Sequence, residues 1–446
     1  METKLAGIAE AARLRPDEKF TSLVHLINEE TIKECHKEML KKKAAGVDGV
    51  TKEEYDLKLD ENVKDLINRM KRQAYKPQAV RRVLIPKPGT DKKRPLGIPA
   101  YEDKLVQATL SKILNAIYEQ DFLECSFGFR PNRGCHDAIK VLDKIVNKKE
   151  IKYVVDADIK GFFDNVSHEW MLKFLKQRIA DPNLLRLITR FLKSGIVEAG
   201  ILYDTPQGTP QGGVCSPILG NVYLHYIIDL WFEKIVKKKS EGMAYMVRYA
   251  DDTVFCFQYE SDAKKFYTNL IKRLGDFGLE VAQEKTKIIN LEKEDDKDDE
   301  NGNKDGRCEQ NKSFDFLGFT HYTGKDKSGA KRVKRKTSKK KYKASLLKFK
   351  EWIKKNRHLL AKVFMSKMKV KLLGYNRYYG ITDNRRAVSN FFYEVKNIIF
   401  KWLNKRSQRK SFKWEKFNLF LKKYPLPTVK TYVNIFEKGK IASYIL

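Results

Sequence analysis

The sequence predicts a mixed body, α/β or α+β, with a basic all-helical region behind it, and three observations predict it. Residues 76 to about 290 alternate short β-branched runs with amphipathic helical stretches. From Lys331 onward Lys and Arg crowd together (KRVKRKTSKKKYK) and then interleave with apolar residues at helical spacing. At 446 residues the chain is too long for one ordinary core, so about two to four domains are expected.

Composition narrows the function. Lys and Arg number 90 against 57 Asp and Glu, a formal net charge of +33. So large an excess repels itself in a free globule, and a polyanion such as nucleic acid would neutralise it. Hydrophobic residues at 42% and aromatics at 11% exclude disorder as the global answer. The six cysteines, Cys35, Cys125, Cys135, Cys215, Cys256 and Cys308, form no CxxC pair and no CxxC…H spacing. A zinc module and a disulfide framework are therefore disfavoured, and a reduced cytoplasmic setting is expected. No secretory signal pattern and no apolar run of membrane-crossing length is visible, so a soluble protein without a membrane partner is expected. The seven histidines lie at no ligand spacing to carboxylates or cysteines and read as core or surface.

Along the chain, a first zone to about residue 75 carries helical patterning around Leu23-Val24-His25-Leu26-Ile27 and then the turn Gly46-Val47-Asp48-Gly49-Val50. Residues 292–312 (EKEDDKDDENGNKDGRCEQNK) hold almost no apolar side chain and read as a solvated loop. Trp352, Tyr375, Tyr378, Tyr379 and Trp402 stand among the C-terminal lysines and arginines, a mixture that suits a helical nucleic-acid-binding domain. Tyr424-Pro425-Leu426-Pro427 marks a short terminal module.

The chemistry begins with Tyr249-Ala250-Asp251-Asp252, set between the β-prone runs MAYMVR and TVFCF. Two such runs around an acidic pair describe a hairpin with two carboxylates at its tip. Asp-Asp is also a common turn dipeptide, so the pair alone decides nothing. A second source of acid is YVVDADIKGFFD, where an apolar strand carries Asp158 near its end and bends at Gly161. Period two puts Asp156 and Asp158 on one face of that strand and Val155, Ala157 and Ile159 on the other. A carboxylate there is costly to bury without a cation. If the strand lies beside the hairpin, Asp158 and Asp251 converge and could hold two Mg²⁺ ions about 4 Å apart.

Two further stretches suit a nucleoside triphosphate. Ile85-Pro86-Lys87-Pro88-Gly89-Thr90 and Lys92 to Pro99 read as a hairpin presenting Lys87 and Arg94, a point charge and a fork for phosphate oxygens, or else as a plain basic surface hairpin. Thr209-Pro210-Gln211-Gly212-Gly213-Val214-Cys215-Ser216-Pro217 puts a Gly-rich loop at a helix start. It is equally a loop-to-helix turn with Ser216 capping and Pro217 in the first turn.

Taken in order, the basic hairpin, DADIKGFFD, TPQGGVCSP, YADD, GLEVAQEKTK and FDFLGF resemble the fingers-and-palm series of reverse transcriptases. With YADD and Leu373-Gly374-Tyr375-Asn376-Arg377-Tyr378-Tyr379-Gly380 the chain looks like the reverse transcriptase/maturases encoded by bacterial group II introns. The resemblance implies an α+β right-hand polymerase whose palm is an antiparallel sheet. It implies an N-terminal extension and the start of the fingers over 1–75, fingers and palm over 76–330, a helical basic thumb (the maturase X domain) over 331–410, and a short nucleic-acid-binding module over 411–446. The activity implied is RNA-directed DNA synthesis, with two Mg²⁺ ions on Asp158, Asp251 and Asp252. Lys87 and Arg94 would hold the triphosphate of a dNTP and Gln211 its sugar and phosphates. Phe163 would be a steric gate at the 2′ carbon, and Lys285 would approach the leaving pyrophosphate as a general acid. Phe314 to Phe319, with Phe316, Leu317 and Gly318 at its centre, would grip the primer end. Implied partners are an RNA template, an intron RNA and a DNA primer or target, bound by a monomer or dimer.

Nothing in the sequence matches the C-terminal HNH-type endonuclease that many relatives carry, so second-strand cleavage is not expected. The acidic 292–312 stretch is longer than the family pattern suggests. Two other readings stand beside the polymerase: a maturase that only scaffolds splicing, and a reverse transcriptase recruited for defence. The retained acids, with Lys87, Arg94 and Gln211, favour a working polymerase over the first. An RNA-copying RNA polymerase fits less well, because Phe163 occupies a place where a small or acidic residue would be expected.

Overall fold

The computed structural model describes residues 2–86, 93–209, 212–292, 313–326, 328–406 and 412–436. In chain order the strands are β1 (Val80–Pro86), β2 (Lys93–Ile98), β3 (Tyr153–Ala157), β4 (Ile196–Glu198), β5 (Ile201–Tyr203), β6 (Ala244–Tyr249), β7 (Asp252–Phe257), β8 (Lys287–Asn290), β9 (Ser313–Phe316), β10 (Phe319–Lys325) and β11 (Lys331–Thr337). Helices stand between and after them, so the class is α+β, as the motif order implies. The chain divides into two compact units. One takes the residues through Ala138 and then Ala157–Lys287, and the other takes Ile139–Asp156 and everything from Ile288 on.

In the first unit, β1 pairs antiparallel with β2, setting Ile85 opposite Arg94, and parallel with β4, which pairs with β5. The expected hairpin arms therefore pair, with Arg94 on the second, and Lys87 lies outside the described residues. The helix Tyr101–Tyr118 buries Leu105, Val106, Leu110, Ile113, Leu114 and Ile117 on its inner face. His36 is core: its ring nitrogens meet the Tyr101 hydroxyl and the Asp56 carboxylate, each at 3.0 Å. The hairpin of β6 and β7 runs in register from Ala244 opposite Phe257 to Tyr249 opposite Asp252. Only Asp252 of β7 is exposed, because Val254, Phe255, Cys256 and Phe257 are sealed under neighbouring elements, with Phe232 and Phe266 packed on the two phenylalanines.

The second unit has an antiparallel sheet of order β11-β10-β9 and the helices Lys339–Asn356, Ala361–Tyr379, Arg385–Leu403 and Trp414–Lys423. Their core joins Ile353, Phe364, Met368, Leu372, Val388, Phe391 and Val395, with Tyr375 stacked on Phe391 at 3.7 Å between ring centroids. The basic run beginning at Lys331 is not yet helix. Lys331–Thr337 is a strand because Val333, Arg335 and Thr337 alternate inward while Lys331 and Lys336 stay in solvent, and the helix starts only after the Ser338 cap. Arg335 is wholly buried, paired with Asp143 and lying 3.6 Å from Asp383. Most of the acidic 292–312 stretch lies outside the described residues, as do residues 407–411 and 437–446 of the C-terminal part. No helix among the described residues is long and apolar enough to cross a membrane.

His321 on β10 is 1% exposed and stacks on Phe314 with ring planes 9° apart. Burial, with the Arg335 charge beside it, pushes its imidazole from 6.5 down to about 3. The fold holds the neutral ring, whereas the unfolded chain takes up a proton near 6.5. Stability linked to this side chain is therefore complete above that pH and drains as pH falls toward 3. Thermal melts taken between about pH 7 and pH 5 should show a shallower acid loss for His321→Leu than for the parent, and parallel slopes would refute the linkage.

Candidate active site

The first unit brings the sequence-predicted carboxylates together at one tip. Strand β3 ends at Ala157, and Asp158 follows directly. Its backbone is fastened by the antiparallel bridge of Ile159 to Val281, by Ala282 N–H to the Asp158 carbonyl (2.8 Å) and by Lys160 N–H to the Glu280 carbonyl (2.8 Å). That frame brings Lys285 onto the acid, with Nζ at 2.6 Å from Asp158 Oδ2. The bond to Asp158 raises the Lys285 ammonium above its usual range against the opposing pull of desolvation, and the Asp252 charge adds to the effect. Lys285 is thus held protonated.

Asp251 sits in the two-residue turn between β6 and β7, beside Ala250 at a φ of 58°. Left-handed backbone is uncommon for alanine and needs support. Burial pushes the Asp251 carboxyl above the usual range. Its own backbone N–H opposes that shift, the Asp158 charge adds to it, and Arg94 and Arg248 work against it. Arg94 and Asp158 therefore both lie within electrostatic reach of Asp251, while Asp252 stays in solvent. Among the described residues no group of three or more His, Cys, Asp or Glu stands preassembled as a metal cage.

Support for the turn comes from residues that the sequence reading did not single out. Arg248, wholly buried, donates from Nε and Nη2 to the two oxygens of Asp229 at 2.7 and 2.5 Å. Its Nη1 reaches the Ala250 carbonyl at 3.0 Å and Asn221 Oδ1 at 3.1 Å. Asn221 in turn donates to the Gly128 carbonyl at 2.7 Å. Gly128 packs so tightly under the turn that a Cβ there would stand 2.3 Å from the Ala250 nitrogen. Burial alone would raise the Asp229 carboxyl, but the Arg248 charge holds it below the usual range. A π-helical turn over His225–Asp229 directs Asp229 inward. The available signal was an arginine inside an apolar strand and an aspartate inside HYIIDLWF, each costly unless paired with the other.

The remaining predicted residues divide. Phe163 is 9% exposed in the middle of the 3₁₀ turn Phe162–Asp164, its ring 5.0 Å from that of Phe162. Gln211 lies outside the described residues, like Lys87. After that loop the helix Ser216–Leu224 opens with Cys215, not Ser216, at the cap position. Phe316, Leu317 and Gly318 belong to the second unit, where Leu317 and Gly318 make the tight turn from β9 to β10. The Leu317 carbonyl accepts from the Tyr378 hydroxyl at 2.8 Å and the Gly318 carbonyl from Ser338 N–H at 3.0 Å.

A hairpin-borne acid pair beside a third strand-end acid, in an α+β frame with a basic hairpin, is the arrangement of a right-hand polymerase. Residues 85–321, just over half of the chain, match the family model of the reverse transcriptase (RNA-dependent DNA polymerase), and the chain belongs to that family. Within it the chain is similar to the group II intron-encoded protein LtrA of Lactococcus lactis, 38% identical over 225 residues that cover 50% of this chain and 37% of LtrA. It is 33% identical to protein YkfC of Escherichia coli over 247 residues, 54% of this chain and 64% of YkfC. A COX1/OXI3 intron 1 protein of Saccharomyces cerevisiae is 28% identical over 262 residues, 48% of this chain and 31% of that protein. LtrA and the yeast protein are named for the introns that encode them, and this chain spans less than two thirds of each of the three relatives.

Replacing Arg248 by Met leaves Asp229 buried without its partner, which should cost roughly 3–5 kcal/mol. Joint replacement of both by apolar residues should cost less than the single change, because no bare charge remains. Denaturant unfolding of the two variants checks this, and equal losses would show that the pair is not coupled.

Proposed function

We propose that this chain copies RNA into DNA by metal-dependent nucleotidyl transfer. The convergence of Asp158 and Asp251, seen in the electrostatic coupling of the two carboxylates, is the observation that carries the reading. A carboxylate whose ionisation is made costlier by burial and by the Asp158 charge beside it fits a divalent cation, and Mg²⁺ is commonly held by one or two carboxylates completed by substrate phosphates. Asp158 and Asp251, with Asp252 nearby, would hold two Mg²⁺ ions. Bound there, the metal would lower the pKa of the primer 3′-hydroxyl and steady the leaving pyrophosphate. Arg94, together with Lys87, would orient the triphosphate of the incoming dNTP. Gln211 would support its sugar and phosphates, and Phe163 would close the space a 2′-hydroxyl needs. Lys285, held protonated, would deliver a proton to the pyrophosphate as it leaves.

Phe316, Leu317 and Gly318 would steady the primer end. The exposed Lys339, Lys340, Lys341, Lys343, Lys348 and Lys350 on one thumb helix, and Lys362, Lys367, Lys369 and Lys371 on the next, would follow the phosphates of the template–primer duplex. Similarity to intron-encoded proteins supports a second use of this basic surface, holding an intron RNA during splicing and retrohoming. A cytoplasmic setting, and a monomer or a dimer, belong to the same reading. Asp251→Asn and Asp158→Asn should each abolish primer extension on an RNA template while RNA binding persists. Extension at the parental rate in either variant would defeat the assignment.

Affinity for RNA should fall on the order of a thousandfold between about 50 and 200 mM salt. Replacing Lys339, Lys340, Lys341 and Lys343 together by Gln should flatten the log–log slope by up to about one unit per lost phosphate contact. Filter binding across a salt series measures it, and an unchanged slope would remove this helix from the nucleic-acid surface.

A further inference from the structure

The sequence repeats a tetrapeptide, Thr205-Pro206-Gln207-Gly208 directly before Thr209-Pro210-Gln211-Gly212, and the reading above uses only the second copy. The junction of the two copies, Gly208-Thr209, is fastened to the turn that bears Phe163 and the residues just after it. Thr209 N–H donates to the Phe163 carbonyl at 2.7 Å, and Gly208 N–H donates to the Val166 carbonyl at 2.8 Å. Gly208 has a φ of 89°, and a Cβ there would stand 2.8 Å from the Asp164 carbonyl oxygen and 3.0 Å from that of Phe163. Only glycine lets the two backbones approach this closely.

Behind this contact stands His168. It is 8% exposed, and its Nε2 lies 2.7 Å from the Gly208 carbonyl. A carbonyl only accepts, so Nε2 carries the proton and the ring donates. Nδ1 is buried without a hydrogen-bond partner, and burial lowers the imidazole below its usual range, both in keeping with a neutral Nε2–H ring. On its other side the Phe163 ring rests against Gly220, where a Cβ would come within 3.1 Å of the ring.

We propose that His168, acting through Gly208 and Thr209, is a positioning residue that sets the Phe163 ring at the height at which it rejects a 2′-hydroxyl. The claim rests on Phe163 being the sugar gate. His168 would touch neither the nucleotide nor the metals. Without its hydrogen bond the 205–209 segment relaxes, the Phe163 carbonyl loses its fixed partner, and the ring gains room to retreat from a ribose.

The test is primer extension on one RNA template, with single-nucleotide kcat and KM measured for dNTP and rNTP. Four full-length variants are compared: Phe163→Ala, His168→Leu, His168→Gln and the double variant Phe163→Ala/His168→Leu. His168→Leu should raise the rNTP-to-dNTP ratio of kcat/KM by roughly fivefold to tenfold, the scale of one lost hydrogen bond, with kcat for dNTP little changed. Gln carries an amide nitrogen near the place of Nε2 and should restore most of the discrimination. In the Phe163→Ala background His168→Leu should add nothing, since a positioning residue has no effect once the residue it positions is gone. A general loss of activity with an unchanged ratio in His168→Leu, or additive effects in the double variant, overturns the proposal. If His168→Leu does not fold, His168→Gln against the shorter His168→Asn carries the same comparison, and equal ratios in those two overturn it. An unchanged ratio in Phe163→Ala alone is a different outcome, because it removes the gate itself from Phe163.

Discussion

A single buried ion pair, Arg248 with Asp229, governs the geometry on which the candidate active site depends. Both side chains are wholly excluded from water, so neither is tolerable without the other. The guanidinium spends three nitrogens on fixed partners: two on Asp229 and one shared between Asn221 and the carbonyl of Ala250. That last bond reaches the left-handed residue in front of Asp251. Buried pairs of this kind often add little net stability over an apolar equivalent, so their value lies in geometry. Here the geometry is that of a strained turn, held to helix Ser216–Leu224 through Asn221 and to the Gly128 backbone through that same side chain. A carboxylate that must meet metal and phosphate within fractions of an ångström gains from such over-determination.

The electrostatics of the site run against those of the chain. The chain carries a formal net charge of +33, yet Asp158 stands close enough to Asp251 to make that buried acid costlier to ionise. Lys285 bonds directly to Asp158, and Arg94 acts at a distance to ease the ionisation of Asp251. Both are residues that the proposed reaction would turn toward the triphosphate. The cations beside the acids are therefore the ones that, on the proposed reading, a nucleotide would engage. The exposed lysines of helices Lys339–Asn356 and Ala361–Tyr379 stand in a stretch whose sequence holds one acid, Glu351, and their exposure suits a surface neutralised by polyanion.

The legible parts of the sequence were those in which local pattern and chemistry coincide. The YADD hairpin could be read because β-prone runs flank a dipeptide that only a turn accommodates, and Asp158 because an apolar strand carried one acid at its end. The support beneath them was harder to read, since Arg248, Asp229, Asn221 and Gly128 meet only through long-range pairing. The strand Lys331–Thr337 was masked by composition: seven residues dense in Lys and Arg look like a helix face, and the alternation of Val333, Arg335 and Thr337 is short. Arg335 defeats the usual rule outright, because a buried arginine is legible only once Asp143, nearly two hundred residues earlier, is known to face it.

Phe163 shows why core and function are poor alternatives at such a site. Its ring is nearly sealed, against Phe162 on one side and Gly220 on another, and its backbone is held by Thr209. Those are the marks of a packed core residue, and by themselves they suggest a purely structural role. A steric gate, however, discriminates only as far as it refuses to move: a ring able to shift by an ångström admits a hydroxyl at small cost. Rejection of one oxygen atom by contact repulsion therefore needs the rigidity that burial confers, and the packing that seems to argue against a gate is what a gate would require. On this view discrimination belongs to the whole seat of the ring, including residues that never approach the sugar.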